Sequence, residues 1–316
     1  MPPITPEWAT TKLLGYGIAV FFFLMIAEML WTRRRNRNAY EFRDTAASML
    51  VGFISLFTGA LVAGTNLVVS LSAYELRLFN IGWTWEAMVV CFFVTDLTYY
   101  ISHRIAHERR FWWASHVVHH SSQHFNGSTA LRQSWTELFG IGMWITLPLF
   151  FIGFPIAMVF FFRGVTAVYQ LWVHTEQVKT IGPFEWILNT ASHHRVHHST
   201  NPQYIDSNHG GFLIIWDRMF GTFAAEDKID PCQYGITSNL GTFNLFRIAF
   251  HEWIAMGQDV IKARSLRDAF WYMFGAPGWS PDGSRETSRS MKEKWANKKS
   301  TKEKWTRDIE TLVPAE

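Results

Sequence analysis

Nine of the thirteen histidines in this 316-residue chain fall in three short clusters: His103 and His107; His116, His119 and His120; and His193, His194, His197 and His198. Residues three and four apart share one face of a helix. His103 and His107 therefore project together, as do His116, His119 and His120, and as do His194, His197 and His198. Each cluster reads as a bundle of imidazoles aimed at one point, and three distant parts of the chain must fold so that the points meet. Neutral imidazole is the commonest side-chain metal ligand and suits iron, zinc and copper. Eight or more imidazoles exceed the three or four ligands that one zinc site takes, so two metals sharing a nitrogen-rich pocket fit better. Histidine-rich storage tracts are of low complexity and disordered, whereas these clusters keep helical spacing beside apolar runs.

Those apolar runs set the surroundings. Hydrophobic residues make up 48% of the chain and aromatic ones 16%, with 27 Phe and 16 Trp. Long uncharged stretches with Trp and Tyr near their ends resemble membrane spans with interfacial belts. The formal net charge of +3 is unevenly spread: basic residues follow the first apolar run, flank the histidines and fill the tail. That distribution fits a cytoplasmic face beside anionic headgroups. No nucleic-acid-binding module accompanies it, so nucleic acid is not an expected partner. The two cysteines, Cys91 and Cys232, form neither a C-x-x-C pair nor a disulfide framework. Thiolate metal sites are thereby disfavoured, and the N-terminus, lacking a cleavage site, reads as a retained anchor.

Taken in order, Leu13 to Trp31 is a first span, followed at once by Arg33, Arg34, Arg35 and Arg37. The positive-inside rule keeps that run cytoplasmic. Residues 45–74 carry no charge and form a second span; at about 1.5 Å per residue it is longer than the bilayer core, so tilt or a broken end is expected. A third span, about Glu86 to Ile101, contains Asp96, seven residues before His103 and on the same face. A carboxylate there needs a partner, and holding a ligand imidazole through its far N–H would provide one; a hydrogen bond to a neighbouring Tyr or Thr is the alternative. The run from Leu138 to about Trp172 breaks near Gly153-Phe-Pro155 and predicts a tight hairpin whose return brings His174 to the side of the clusters. His124, His209 and His251 read as loop or structural histidines. The expectation is an all-α integral membrane helical bundle of about four to five transmembrane or re-entrant helices, with a cytoplasmic helical cap holding a histidine-rich dimetal site. The boundaries expected are 1–85 for the N-terminal membrane helices, 86–225 for the catalytic domain and 226–316 for a C-terminal cytoplasmic region ending in a lysine-rich helix.

No glutamate stands at the E-x-x-H spacing of soluble di-iron bundles. All-imidazole ligation leaves a metal pair with high positive charge, which favours an anionic oxygen species. A site at the lipid boundary places alkyl C–H bonds beside it. Oxidising such bonds calls for a redox-active metal and dioxygen, which points to iron.

The spacings H-x-x-x-H, H-x-x-H-H and H-x-x-H-H resemble those of the fatty acid hydroxylase and sterol desaturase superfamily. The stretches between them are similar to alkylglycerol monooxygenase and its bacterial relatives. They include Ser128-Thr-Ala-Leu-Arg-Gln-Ser134, Gln170-Leu-Trp-Val-His-Thr-Glu176, Gly182-Pro-Phe-Glu-Trp-Ile-Leu-Asn189, Tyr204-Ile-Asp206 and Leu213-Ile-Ile-Trp-Asp-Arg218. The resemblance covers about residues 90–225. It implies a di-iron membrane oxygenase with its site on the cytoplasmic side. By motif position it implies His103, His107, His116, His119, His120, His194, His197 and His198 as metal ligands, with His174 and His193 as additional ones. Glu108 holds a position linked in that family to tetrahydrobiopterin; a salt bridge to Arg109 or Arg110 is the alternative. Asp206, Asn208 and Asp217 match family positions that orient ligand imidazoles, with loop capping as the alternative.

The expected function is hydroxylation of a lipid (an alkyl chain, ether lipid or sterol) with dioxygen. The partners expected are the membrane, the lipid and a separate electron donor, because no haem, flavin or NAD motif is visible; tetrahydrobiopterin or another external reductant would serve. Desaturation on the same site is the nearest alternative. A membrane metal transporter is the alternative of another class, but ligands lying past the span ends argue for a closed site rather than a conduit.

Overall fold

The computed structural model describes residues 6–35 and 39–312, apart from the side chains of 6–11, 13, 14 and 302–312; Arg37 lies outside this set. The described residues are helical and form no strand, with only the isolated bridges Leu188–Leu213 and Ser199–Tyr234. The helices are α1 (Pro6–Arg34), α2 (Phe42–Glu75), α3 (Trp85–Glu108), α4 (Arg110–His120), α5 (Gly127–Ala130), α6 (Gly142–Ile152) and α7 (Ile156–Trp172). They continue with α8 (Ala191–His197), α9 (Ile215–Phe220), α10 (Leu245–Ile261), α11 (Leu266–Phe274) and α12 (Ser288–Leu312).

Among the described residues two helices are long and apolar enough to cross a membrane, within Gly15–Arg34 and Phe42–Glu75, and only 17% of each apolar window is buried. Side chains such as Phe23, Leu56 and Phe57 point outward. A soluble protein's core helix would hide them, so this is the pattern of a membrane protein. The uncharged run of α2 continues through Glu75 as one unbroken helix. α3 does not meet the same measure of length and apolarity, and α6 and α7, of 11 and 17 residues, are short.

Those two form the hairpin that Gly153 and Pro155 predict. α6 ends at Ile152 because Gly153 adopts φ 114°, a conformation that glycine takes without a Cβ penalty. Pro155 caps α7. One apolar cluster, including Cys91, Phe150, Met158 and Val159, joins the hairpin to α2 and α3. A second, of Ala47, Val51, Val118 and Ile248, joins α2 to α4 and α10.

Buried ion pairs bind the polar end. Arg132 bonds Asp44 at 2.7 Å, Ser48 at 3.0 Å and Ser121 at 3.0 Å. Arg110 reaches from the start of α4 to Glu252 at 2.6 Å and Asp259 at 2.7 Å on α10. Glu28 on α1 accepts hydrogen bonds from Thr175 Oγ1 and, at 3.0 Å, from the Gly127 amide. The end of α1 that leads to Arg33–Arg35 therefore lies beside His174, the neighbour of Thr175. Phe212–Phe223 forms a turn and the short α9, burying Leu213, Ile214 and Asp217 and leaving Met219 and Phe220 exposed, and Gly211 just before it packs under Tyr99 and Thr166.

Candidate metal centre

Three helices and the return arm of the α6–α7 hairpin deliver the imidazoles. α3 carries His103 and His107 in its last turns, and α4 carries His116, His119 and His120. α8 begins at a Thr190 cap and carries His194 and His197, with His198 as its C-cap. His174 follows α7 by two residues. They assemble into two groups whose ligand-capable atoms lie within 4.8 Å of one another: His103, His107, His116, His120 and His197 in one, His119, His174, His194 and His198 in the other. The groups abut, with the His120 and His198 rings stacked at 4.2 Å between centroids.

Hydrogen bonding at the far side of four of the rings fixes which nitrogen is free. The Nδ1 of His103 lies 2.9 Å from the His209 carbonyl, that of His119 3.2 Å from Arg132 O, that of His174 2.8 Å from Gln170 O, and that of His197 3.0 Å from Ser207 O. A carbonyl only accepts, so each Nδ1 carries the proton and each Nε2 presents a lone pair inward. Burial, followed in His197 by neighbouring imidazoles, holds these rings below their ordinary pKa, with His103 and His174 pushed down to about 4. They are neutral at physiological pH, the form that ligates.

The residues fit a metal pair. His119 Nε2 lies 3.2 Å from His174 Nε2, and His174 Nε2 lies 2.9 Å from His194 Nε2. With both Nδ1 atoms of His119 and His174 donating outward, their Nε2 atoms face each other lone pair to lone pair. That repels unless a cation lies against both. In the other group the buried Nε2 atoms of His107 and His197 have no protein partner. Buried polar atoms are otherwise nearly always bonded, so orphaned lone pairs aimed into such a cluster mark a cation site. The donor set is nitrogen alone; the nearest carboxylate, Asp206, lies 3.5 Å from His107 Nδ1 on the outer side of the ring.

Several residues fall elsewhere than expected. His193 belongs to neither group: its ring packs on Phe223 at 5.5 Å, because one residue's rotation turns it off the face of His194. Asp96 holds no imidazole. Its carboxylate accepts from the Phe212 amide at 2.9 Å, the Leu213 amide at 3.1 Å and Trp216 Nε1 at 2.9 Å, pinning the turn before α9. Glu108 pairs with Arg104 at 2.7 Å, one turn back, rather than with Arg109 or Arg110.

Asp217 acts through the main chain. It accepts from the amides of His209 and Gly210 and from Thr222 Oγ1, each at 2.7 Å. Asn208 donates to the His193 and Ala224 carbonyls. The loop they secure has Asp206 and Asn208 at φ 50° and 57°, a left-handed conformation that Asp and Asn tolerate better than most. That backbone path turns the Ser207 and His209 carbonyls toward His197 and His103. His209, read in the sequence as a loop or structural histidine, joins neither group. It is fully buried, 5.0 Å from the His107 ring, with neither ring nitrogen bonded to protein. No helical-spacing partner flags it; its place next to the Asp-Ser-Asn turn is its only signature.

Residues 88–222 match the family model for fatty acid hydroxylase. An alkylglycerol monooxygenase from Danio rerio is 43% identical over 90% of this chain and 65% of its own length. One from Homo sapiens is 35% identical over 84% of this chain and 59% of its own. An ornithine lipid hydroxylase from Rhizobium tropici is 28% identical over 73% of this chain and 71% of its own. The chain thus spans somewhat less than two thirds of the two alkylglycerol monooxygenases. No solved structure matches it.

Two of the cavities that reach the histidines differ in character. An apolar one of about 620 Å³ runs from Phe22 on α1 and Phe53 and Leu56 on α2 to His103, His116, His119, His174 and His194. A more polar one of about 180 Å³, its wall about half polar, touches His107, His120, His197 and His198 and is edged by Trp113, Asp206 and Glu252.

Proposed function

We propose that this chain is a membrane di-iron monooxygenase that hydroxylates a lipid with dioxygen. The observation that carries the reading is the apolar cavity: it opens between the outward-facing residues of α1 and α2 and ends on imidazoles from both groups. A hydrocarbon chain leaving the bilayer there exchanges one apolar surrounding for another and comes to rest with its C–H bonds against the donor atoms. The names of the relatives, alkylglycerol monooxygenase and ornithine lipid hydroxylase, support a lipid as the substrate class.

The ligands proposed are His103, His107, His116, His120 and His197 for one iron and His119, His174, His194 and His198 for the other. Iron there would supply dioxygen activation and the oxidising power for an unactivated C–H bond. The protein's own part is positional. Backbone carbonyls at Ser207, His209, Arg132 and Gln170 hold the imidazoles to one tautomer, and Asp217 fixes the loop that carries two of those carbonyls. The apolar cavity excludes water from the reacting end. Electrons come from an external reductant, tetrahydrobiopterin or another, for which the polar cavity beside His107 and Trp113 is the approach. Catalysis is assigned to 86–225, with 1–85 as membrane helices and 226–316 as the cap. Arg33–Arg35, at the end of α1 nearest His174, support a cytoplasmic site by the positive-inside rule.

The test is oxygen uptake by the purified protein with lipid and reductant, followed by mass analysis of the lipid. The expected product has gained one oxygen atom. A loss of two hydrogens would make it a desaturase, and uptake that survives both His119→Ala and His197→Ala would refute the assignment of chemistry to this centre.

A further inference from the structure

α10 is apolar on two sides, and only one of them is packed. Ile248, Ala249 and Met256 are buried, and Ile248 joins the cluster of Ala47, Val51 and Val118. Arg110 ties the same side to the start of α4 through Glu252 and Asp259. On the other side Phe246, Phe250, Trp253, Ile254 and Ile261 fall within an arc of about 100° at 3.6 residues per turn. Among the described residues that side stays open: Phe246 and Ile254 are exposed, and Ile261 is 85% exposed. α11 adds Leu266, 92% exposed, and Phe270. Ring contacts connect the two helices, from Phe270 to Phe274 at 5.1 Å, on to Phe111 at 5.5 Å and to Trp253 at 5.2 Å.

An open apolar face of this extent marks an interaction surface, and what it borders identifies the partner. At one border Phe246 packs on Trp135 at 5.7 Å, whose Nε1 donates to the Val51 carbonyl of α2 at 2.9 Å. Met49, Leu50 and Phe53 on that part of α2 face outward. At the other border Trp253 packs on Phe139 at 5.7 Å, beside the exposed Leu138 and, on α6, the exposed Trp144. The stripe therefore joins the outward faces of α2 and of the α6–α7 hairpin. Its flanks are basic. Arg247, Lys262, Arg264 and Arg267 are exposed, whereas the acids of α10 are drawn inward by Arg110. Asp268 is the remaining acid of the two helices.

We propose that α10 and α11 lie in the surface of the bilayer. Their apolar stripe sits at the boundary of headgroups and acyl chains, and their Lys and Arg side chains meet anionic headgroups. Phe, Trp and Leu on one face with Lys and Arg beside it is the composition of such interfacial helices. Lipid is the occupant, rather than a second copy or a soluble protein, because the stripe continues the outward apolar faces on both its borders. The contact is separate from the two long apolar helices, and it makes part of the C-terminal region a membrane-facing element. Since α10 packs on α4 through Ile248 and Arg110, it also fixes the depth of the helix that carries His116, His119 and His120.

The experiment reads depth from nitroxide labels on the full-length protein in nanodiscs of phosphatidylcholine, with and without phosphatidylserine. Single cysteines are introduced as Ile254→Cys, Ile261→Cys and Leu266→Cys in a Cys232→Ser chain, in which Cys91 is buried. Leu56→Cys on α2 marks the bilayer interior and Lys228→Cys, in an exposed loop, marks water. All these positions are exposed, and a thermal midpoint equal to that of wild type confirms that each labelled chain is folded. Collision with molecular oxygen and with a nickel chelate is expected to place the three labels about 5–10 Å into the headgroup and acyl boundary, deeper when phosphatidylserine is present. Labels as open to the nickel chelate as Lys228→Cys would show that the face meets water. Labels reached by neither reagent would show that a second copy covers it, and depths indifferent to phosphatidylserine would remove the role given to the basic flanks. Each of these results overturns the proposal. The measurement needs neither metal nor turnover, so it stands apart from the monooxygenase reading.

Discussion

At the scale of single residues, the site is organised by what stands behind each imidazole. Asp217 touches no ligand ring, yet three 2.7 Å hydrogen bonds from it hold the loop whose carbonyls orient His103 and His197. Asn in its place offers an NH₂ to an amide that also donates, so one bond becomes a repulsion. Asp217→Asn is expected to lower metal affinity and activity about 10–100-fold, the usual range for groups supporting ligands, measured by metal competition and oxygen uptake. His193→Ala is expected to keep the full metal content, whereas His194→Ala, one residue on, loses metal. Helical spacing made the convergence of His103, His107, His116 and His120 legible, because side-chain period follows directly from sequence, but it also put His119 with His116 and His120 and His197 with His194 and His198, whereas each of the two joins the other group. The same argument misassigned Asp96: seven residues from His103 names a face but not a partner, and the amides of Phe212 and Leu213 come from far along the chain. The carbonyls of Ser207 and His209 were not legible at all, since a main-chain acceptor has no side chain to announce it.

Among the elements, the α6–α7 hairpin has the most to do. It returns His174 to the site and builds one wall of the apolar cavity. Its turn was readable from Gly153 and Pro155, because both impose backbone geometry locally. The structure adds why the turn is tight: a Cβ on Gly153 would lie 1.9 Å from the Phe79 carbonyl, at φ 114°. Gly153→Ala combines backbone strain with a clash against main chain and is expected to destabilise by about 1–3 kcal/mol. Thermal unfolding in detergent checks this, with Gly59→Ala, where a Cβ meets nothing, expected to shift little. Spans were less legible than turns. α3 reads as a membrane helix by its apolar residues, but its Asp96, His103 and His107 are buried in the site, and tertiary packing rather than lipid accounts for them.

For the whole molecule, the neutral imidazole cluster couples stability to pH. His103 and His174 titrate at about 4 in the folded chain against an ordinary 6.5, because burial disfavours the charged ring. A depressed folded pKa contributes stability in full above about pH 6.5, lost as pH falls toward about 4. Metal-stripped protein should therefore show a thermal midpoint that declines from pH 7 to pH 5. Bound metal, which competes with protons for the same lone pairs, should shift the decline to lower pH. A midpoint that rises on acidification would contradict the neutral state of the cluster.

The proposed function depends on the two imidazole groups holding one iron each, side by side. Iron content per chain of anaerobically purified protein, measured for wild type and for a His174→Ala/His194→Ala variant, addresses that most directly. About two irons in the wild type, falling to about one in the variant with the His103 group still loaded, is the result expected from the grouping. A wild type that binds one iron or none under saturating supply, or a variant that keeps both, would contradict it.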